Sequence, residues 1–193
     1  MIGLLPEVVR ETMRNAPRGI RSCNDPGNQA KSHHEILRCM DLGDILSPEQ
    51  ILPDMKAPTR WEAIDELIQQ LITSGKIKPE HRESITAVVK KRETSMSTGI
   101  GFGVGIPHAS TDLIGEVVGA LGRSKKGINF DSLDNQPVTL SVLFLVPQGQ
   151  FQKHLHTLAK IAKLLHKKEF RQELEAAHDA KAMYDIIKRE SGK

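Results

Sequence analysis

Apolar residues along this chain change period twice, and each change marks a different kind of element. Residues 1–39 mix Arg, Asn, Pro, Gly and the adjacent His33 and His34, with helical potential only over 4–13 and no sustained amphipathic pattern. They are read as an extension outside the fold. The segment Met40-Asp41-Leu42-Gly43-Asp44-Ile45-Leu46 then forms a natural start for a compact domain over 40–193, with Met40 a candidate initiator. Thr59-Arg60-Trp61-Glu62 is a capping-box pattern, followed by Ile64, Leu67, Ile68, Leu71 and Ile72 at helical spacing and by Gly75 as a stop. This predicts a helix over 60–73. Pro79 with Glu80 opens a second helix, which carries Ile85, Val88 and Val89 on one side and ends in Lys90, Lys91 and Arg92, cations suited to a helix C-terminus.

The period then drops to two. Over 99–105 glycine takes every second position and alternates with Ile100, Phe102 and Val104, a pattern that continues to Ile106 and predicts extended chain. Further strands are expected over 117–121 and 138–146, the latter an almost continuous apolar run suited to a sheet buried on both faces, and a short one over 128–130. Helical spacing returns over 153–166, 170–177 and 181–188. Helices before and after a strand-rich middle predict an α/β (α+β) domain, in which a mixed central sheet is covered by helices on both faces.

Composition narrows the classes. A hydrophobic share of 38% in 193 residues is that of a water-soluble globular chain, and no apolar run approaches the roughly 18 residues that a membrane span requires. The formal net charge is +3 and the cations are dispersed, which argues against nucleic-acid binding. Cys23 and Cys39 both precede the periodic segments and cannot staple the core. With no secretory signal in the Pro6- and Glu7-broken N-terminus, the chain is expected to be cytoplasmic.

The candidate chemistry lies where the glycine run ends, at Ile106-Pro107-His108. A glycine face lets other groups approach the backbone, and an imidazole beside exposed amides and a nearby arginine suits chemistry on an anion such as phosphate. Strict alternation gives His108 the parity of Ile106 and points it toward the apolar side, and Pro107 is expected to break that parity. A second clue is Phe151-Gln152-Lys153-His154-Leu155-His156-Thr157-Leu158. On a helix His154 lines up with Leu158, Ile161 and Leu165, whereas His156 lines up with Lys160, Lys163 and Lys167. His154 is therefore expected to face the protein body and His156 the solvent. Residues two apart diverge by about 200 degrees, so the pair does not form a metal site. The glycine spacing matches neither the P-loop nor the dinucleotide fingerprint, which disfavours a nucleotide as direct donor, and no cofactor or metal is called for.

Taken together, the run from Gly99 to His108, Arg92-Glu93 before it, Gly127-Ile128-Asn129-Phe130-Asp131, Asp134-Asn135-Gln136-Pro137-Val138 and His154-Leu155-His156-Thr157-Leu158 resemble the enzyme IIA domain of the fructose, mannitol and nitrogen-regulatory branch of the bacterial phosphotransferase system. The resemblance extends over about residues 41–187. It implies a histidine phosphocarrier in which His108 accepts a phosphoryl group from an HPr-type phosphocarrier, with His154 and Arg92 supporting the site. It further implies either a regulatory protein of the nitrogen branch, the favoured role, or a transport component that passes phosphate to enzyme IIB. A non-catalytic adaptor is the third and least favoured possibility. Two positions depart from the family pattern: Phe102 replaces a polar or small residue, and Ala109 follows the histidine where glycine is common.

Overall fold

The computed structural model describes residues 40–191, so the expectations placed on 1–39 lie outside the described residues. The chain opens with a one-turn helix, α1 (Leu42–Ile45), a 3-10 turn (Pro48–Gln50) and the short strand β1 (Ile51–Leu52). Helix α2 (Arg60–Thr73) begins and ends where its local chemistry dictates. The Thr59 hydroxyl oxygen accepts the Glu62 N–H at 3.4 Å and donates to the Glu62 carboxylate at 2.8 Å. At the other end Gly75 takes φ 71°, while the Lys76 N–H donates to Leu71 O and the Gly75 N–H to Ile72 O. These two bonds satisfy carbonyls that the helix end would otherwise leave open.

A 3-10 turn (Pro79–His81) leads into α3 (Arg82–Ser95), which runs three residues beyond the predicted end. Its buried stripe is Ile85, Val89 and Glu93, spaced four apart, whereas Val88 is 39% exposed. The expectation that Val88 shares the apolar side is corrected, because only the i, i+4, i+8 row meets the sheet.

The sheet contains β1, β2 (Gly99–Gly101), β3 (Val104–Gly105), β4 (His108–Thr111), β5 (Val118–Ile128) and β6 (Val138–Pro147). Its order is β1-β5-β6-β3-β2, with β4 also on β6. The β1/β5, β3/β6 and β4/β6 pairs are parallel, and β5/β6 and β2/β3 are antiparallel. Helices α2 and α3 cover one face, where Ile64, Leu67, Ile85 and Val89 meet Ala120, Leu143 and Leu145. Helices α4 (Phe151–Leu165), α5 (Lys168–Ala176) and α6 (Ala180–Ser191) cover the other, where Ile161, Leu165, Leu174 and Ile187 meet Leu121, Val142 and Phe144. Both faces of β6 are thus removed from water, as its continuous apolar run requires. The mixed sheet between two helical layers is the predicted architecture.

Two strand expectations change. Strand β5 continues seven residues past the apolar segment, through the polar Arg123, Ser124, Lys125 and Lys126, and takes in Ile128. Of the short strand expected over 128–130, Asn129 makes only an isolated bridge to Thr59, and Phe130 belongs to no strand. Arg123 and Ser124 are buried. The Arg123 guanidinium donates to Pro53 O at 2.8 Å and to the Leu174, Glu175 and Ala177 carbonyls at the end of α5, at 3.0, 2.8 and 2.5 Å. A polar stretch can therefore lie inside the sheet because a distant helix end faces its cation.

The glycine run is a hairpin, not a single extended strand. β2 pairs antiparallel with β3, and Gly101, Phe102 and Gly103 turn the chain with φ of 90°, 56° and 75°. These two glycines supply the left-handed backbone that a side chain resists. The Asp134 carboxylate accepts the Phe102 N–H at 2.7 Å and fixes the tip. The Phe102 ring, half exposed, lies edge-on to His166 with centroids 4.5 Å apart, and the Arg171 guanidinium stands over it at 5.5 Å. The departure at 102 thus ties the hairpin to the α4–α5 corner. At Gly103 a Cβ would stand 2.9 Å from Thr139 Oγ1, so Gly103→Ala combines that contact with a left-handed backbone cost of about 1–2 kcal/mol. The expected result is a melting temperature lowered by roughly 2–8 °C at this chain length, and an unchanged melt would contradict it.

Candidate functional site

Strands β3 and β4 run along the same edge of β6. Val104 pairs with Leu140 and His108 with Phe144, both 36 positions apart, so the register is the same on either side of Pro107. Pro107 contributes no N–H but still accepts the Phe144 N–H through its carbonyl at 2.9 Å. The expected break in parity does not occur. His108 stays on the face of Ile106 and Phe144, the face under α4, and Ala109 turns to the opposite layer. The imidazole is half-buried because it lies at the end of that face, where α4 begins.

Two contacts define the imidazole. Its Nδ1 lies 2.8 Å from Ile106 O. A carbonyl can only accept, so Nδ1 carries the proton and, in the neutral ring, the lone pair is on Nε2. The ring stacks on Phe151, the first residue of α4, with centroids 6.0 Å apart and planes 18° from parallel. Burial pushes the pKa of His108 below its ordinary value of 6.5; the Ile106 bond opposes this, and the Arg92 guanidinium adds to it. Each effect has a plain cause: desolvation and a like charge both disfavour the imidazolium, whereas a hydrogen bond from Nδ1 favours it.

The structure brings Arg92 within electrostatic reach of His108 from the last turn of α3, where one of its amino groups donates to Met96 O at 2.9 Å. His154 lies on the first turn of α4, three residues after Phe151 and half-buried, and His156 is exposed. His154 and the stacking Phe151 share a helical face. Phe151 was not singled out by sequence, although its spacing to His154, Leu158 and Ile161 carries the signal. The Ile106 carbonyl could not be singled out, since every residue has one.

Chemically, this is a neutral imidazole with a defined tautomer, a guanidinium near it and the positive end of a fifteen-residue helix alongside. Residues 44–190 match the family model described as phosphoenolpyruvate-dependent sugar phosphotransferase system, EIIA 2, and the chain belongs to that family. Among its relatives is a nitrogen regulatory protein of Bradyrhizobium diazoefficiens, 33% identical over 148 residues that cover 77% of this chain and 95% of the relative. A fructose-specific EIIA component of Haloferax volcanii is 31% identical over 151 residues, covering 77% and 97%. The crystal structure of nitrogen regulatory protein IIA-Ntr from Neisseria meningitidis superposes with a TM-score of 0.68 at 28% identity, covering 75% of this chain and 97% of that one. Among the described residues no helix is long and apolar enough to cross a membrane.

Proposed function

We propose that His108 is the phosphoryl acceptor of this EIIA domain and that an HPr-type phosphocarrier is its donor. The observation that carries this reading is the Nδ1 bond to Ile106 O, which leaves Nε2 as the nucleophilic nitrogen. In the transfer, a P–Nε2 bond forms on His108 as the P–N bond of the donor phosphohistidine breaks, and the donor nitrogen departs with the electron pair. Such a transition state needs alignment and charge stabilisation more than covalent help. Arg92 and the N-terminal end of α4 provide positive potential, Phe151 and Ile106 hold the ring, and His154 supports the phosphoryl oxygens or the ring from the same helical turn.

The test is incubation with enzyme I, an HPr-type carrier and labelled phosphoenolpyruvate. Acid-labile label on His108 is expected; no label, or label elsewhere, overturns the assignment. Because the folded pKa of His108 lies below 6.5, the acceptor remains neutral at neutral pH. The transfer rate is expected to be flat above pH about 7 and to fall only below the ordinary histidine range. The same shift makes the unfolded chain bind more protons than the folded one between the two pKa values, so this group's stabilisation is complete above 6.5 and is lost as pH falls toward the folded value. A rate that halves between pH 8 and 7 would contradict a depressed pKa.

Within the shared chemistry, the nitrogen-regulatory role is the favoured one, supported by the nitrogen regulatory relative at 33% identity and by the IIA-Ntr structure at 28% identity. The transport role is supported by the fructose-specific relative. Membranes containing a fructose permease separate them: if the phosphorylated chain drives sugar phosphorylation there, the transport role replaces the regulatory one. Cytoplasmic placement belongs with either.

A further inference from the structure

One buried carboxylate stands next to this site without a part in the transfer just described. Glu93 is 2% exposed, yet it occupies the last turn of α3, the end at which the helix dipole disfavours an anion. Its neighbours in sequence, Lys90, Lys91 and Arg92, are the cations that such an end attracts. The Glu93 carboxylate faces Thr98 instead: its two oxygens accept the Thr98 N–H, each at 3.2 Å, and Oε2 accepts the Thr98 hydroxyl at 2.5 Å.

Thr98 is the residue that leads into the hairpin, and the bonds continue from it. The Thr98 carbonyl accepts the Ile106 N–H at 3.0 Å, and the Ile106 carbonyl accepts from His108 Nδ1 at 2.8 Å. The same α3-to-β2 connection includes Met96, whose carbonyl accepts from Arg92. A single buried acid therefore fixes the segment that holds both the ring and the guanidinium. Chains of this kind polarise along their length, and an acceptor that is charged anchors them most firmly.

From this geometry we infer that Glu93 is a positioning residue for phosphoryl transfer, acting through Thr98 and Ile106 to keep His108 in the tautomer that presents Nε2. The inference rests on His108 as the acceptor. The Glu93 carboxylate is buried against Thr98, so no contact with donor or phosphoryl group is assigned to it. Its effect reaches the site through the placement of Ile106 O, with its hold on the Nδ1 proton, and of the connection that carries Met96 O, so its loss should leave donor affinity in place and reduce the rate of the chemical step. Displacing a nucleophile by about 1 Å can cost on the order of a hundredfold.

The test measures single-turnover transfer from phosphorylated HPr-type carrier to the full chain, together with the 15N signals of the His108 ring. For Glu93→Ala the expected results are a transfer rate reduced roughly ten- to a hundredfold, a dissociation constant for the carrier within about threefold, and His108 changed from the Nδ1–H tautomer to a mixture. Glu93→Gln retains an oxygen for the Thr98 N–H and an amide for its hydroxyl, and should recover most of the rate. If Glu93→Ala does not fold, Thr98→Val tests the same path, since it loses the hydroxyl bond and keeps the main-chain one; a several-fold slower transfer with a partial tautomer change is expected. An unaltered tautomer and rate in folded Glu93→Ala, or in Thr98→Val where Glu93→Ala does not fold, would overturn the inference while the His108 assignment stood. Failure of the unsubstituted chain to accept label on His108 would instead remove the reading on which it rests.

Discussion

His108→Ala should take up no phosphoryl label while folding as the unsubstituted chain does. The imidazole is half-buried at the end of its face, and its polar contact is one bond to Ile106 O. Its removal is therefore expected to cost about 1–3 kcal/mol, from the bond to Ile106 O and the stacking on Phe151 that are lost. The effect on function is expected to be total, because in the proposed transfer the lone pair on Nε2 is the nucleophile. The two helix histidines provide the internal comparison. His154→Ala should slow transfer or shorten the life of the phosphorylated form, by about tenfold or more if it stabilises transition-state charge, and His156→Ala, exposed on the opposite side, should do neither. Residual label on His108→Ala equal to that of the unsubstituted chain would remove His108 from the mechanism, and equal effects of the two helix substitutions would remove the helical-face assignment of His154.

Arg123→Met should destabilise the fold strongly. Arg123 is 5% exposed, and its guanidinium donates to four carbonyls, three of them at the end of α5. A methionine of similar length leaves those carbonyls without a donor, at about 1–3 kcal/mol for a buried unsatisfied group, and withdraws a cation from the negative end of a helix. Relief of the cation's own desolvation offsets part of this. A net loss of about 3 kcal/mol is expected, a melting temperature lower by roughly 6–12 °C for this chain length. Arg123→Lys keeps the charge but cannot span Pro53 and the α5 end at once, so it should recover only a minor part. A urea titration checks both variants; a loss below about 1 kcal/mol for Arg123→Met would show that the carbonyls find other donors. Amide exchange at the end of α5 should rise before that in α2 and α3, since Arg123 holds that end to the sheet.

The same residue shows where sequence reading stops. Helix α2 was legible because its start, stripe and stop are all local: Thr59 and Glu62 cap it and Gly75 ends it. The outer half of β5 was not, because Arg123 is buried by virtue of carbonyls some fifty residues away, and nothing near it in sequence announces them. The glycine hairpin was read as one strand for a related reason. Alternating glycines have the period of a strand, yet carry no side chain to mark a face, and what turns the chain is positive φ at Gly101 and Gly103. At the proposed site, the helical spacing separates the half-buried His154 from the exposed His156, and the resemblance points to Arg92 and His108. The Ile106 carbonyl and the Glu93–Thr98 contact depend on tertiary placement and became visible only with the fold.

The unbroken register across Pro107 has a consequence for the encounter itself. Because β3 and β4 keep one alignment on β6, the main chain on both sides of His108, the proposed acceptor, is already confined by the sheet before a donor arrives. The conformational entropy of about 1–2 kcal/mol per residue that ordering such a segment requires is lost once, during folding, and does not recur at each transfer. In the proposed transfer the acceptor strand then has no reorganisation to undergo, whether the phosphoryl group arrives or departs.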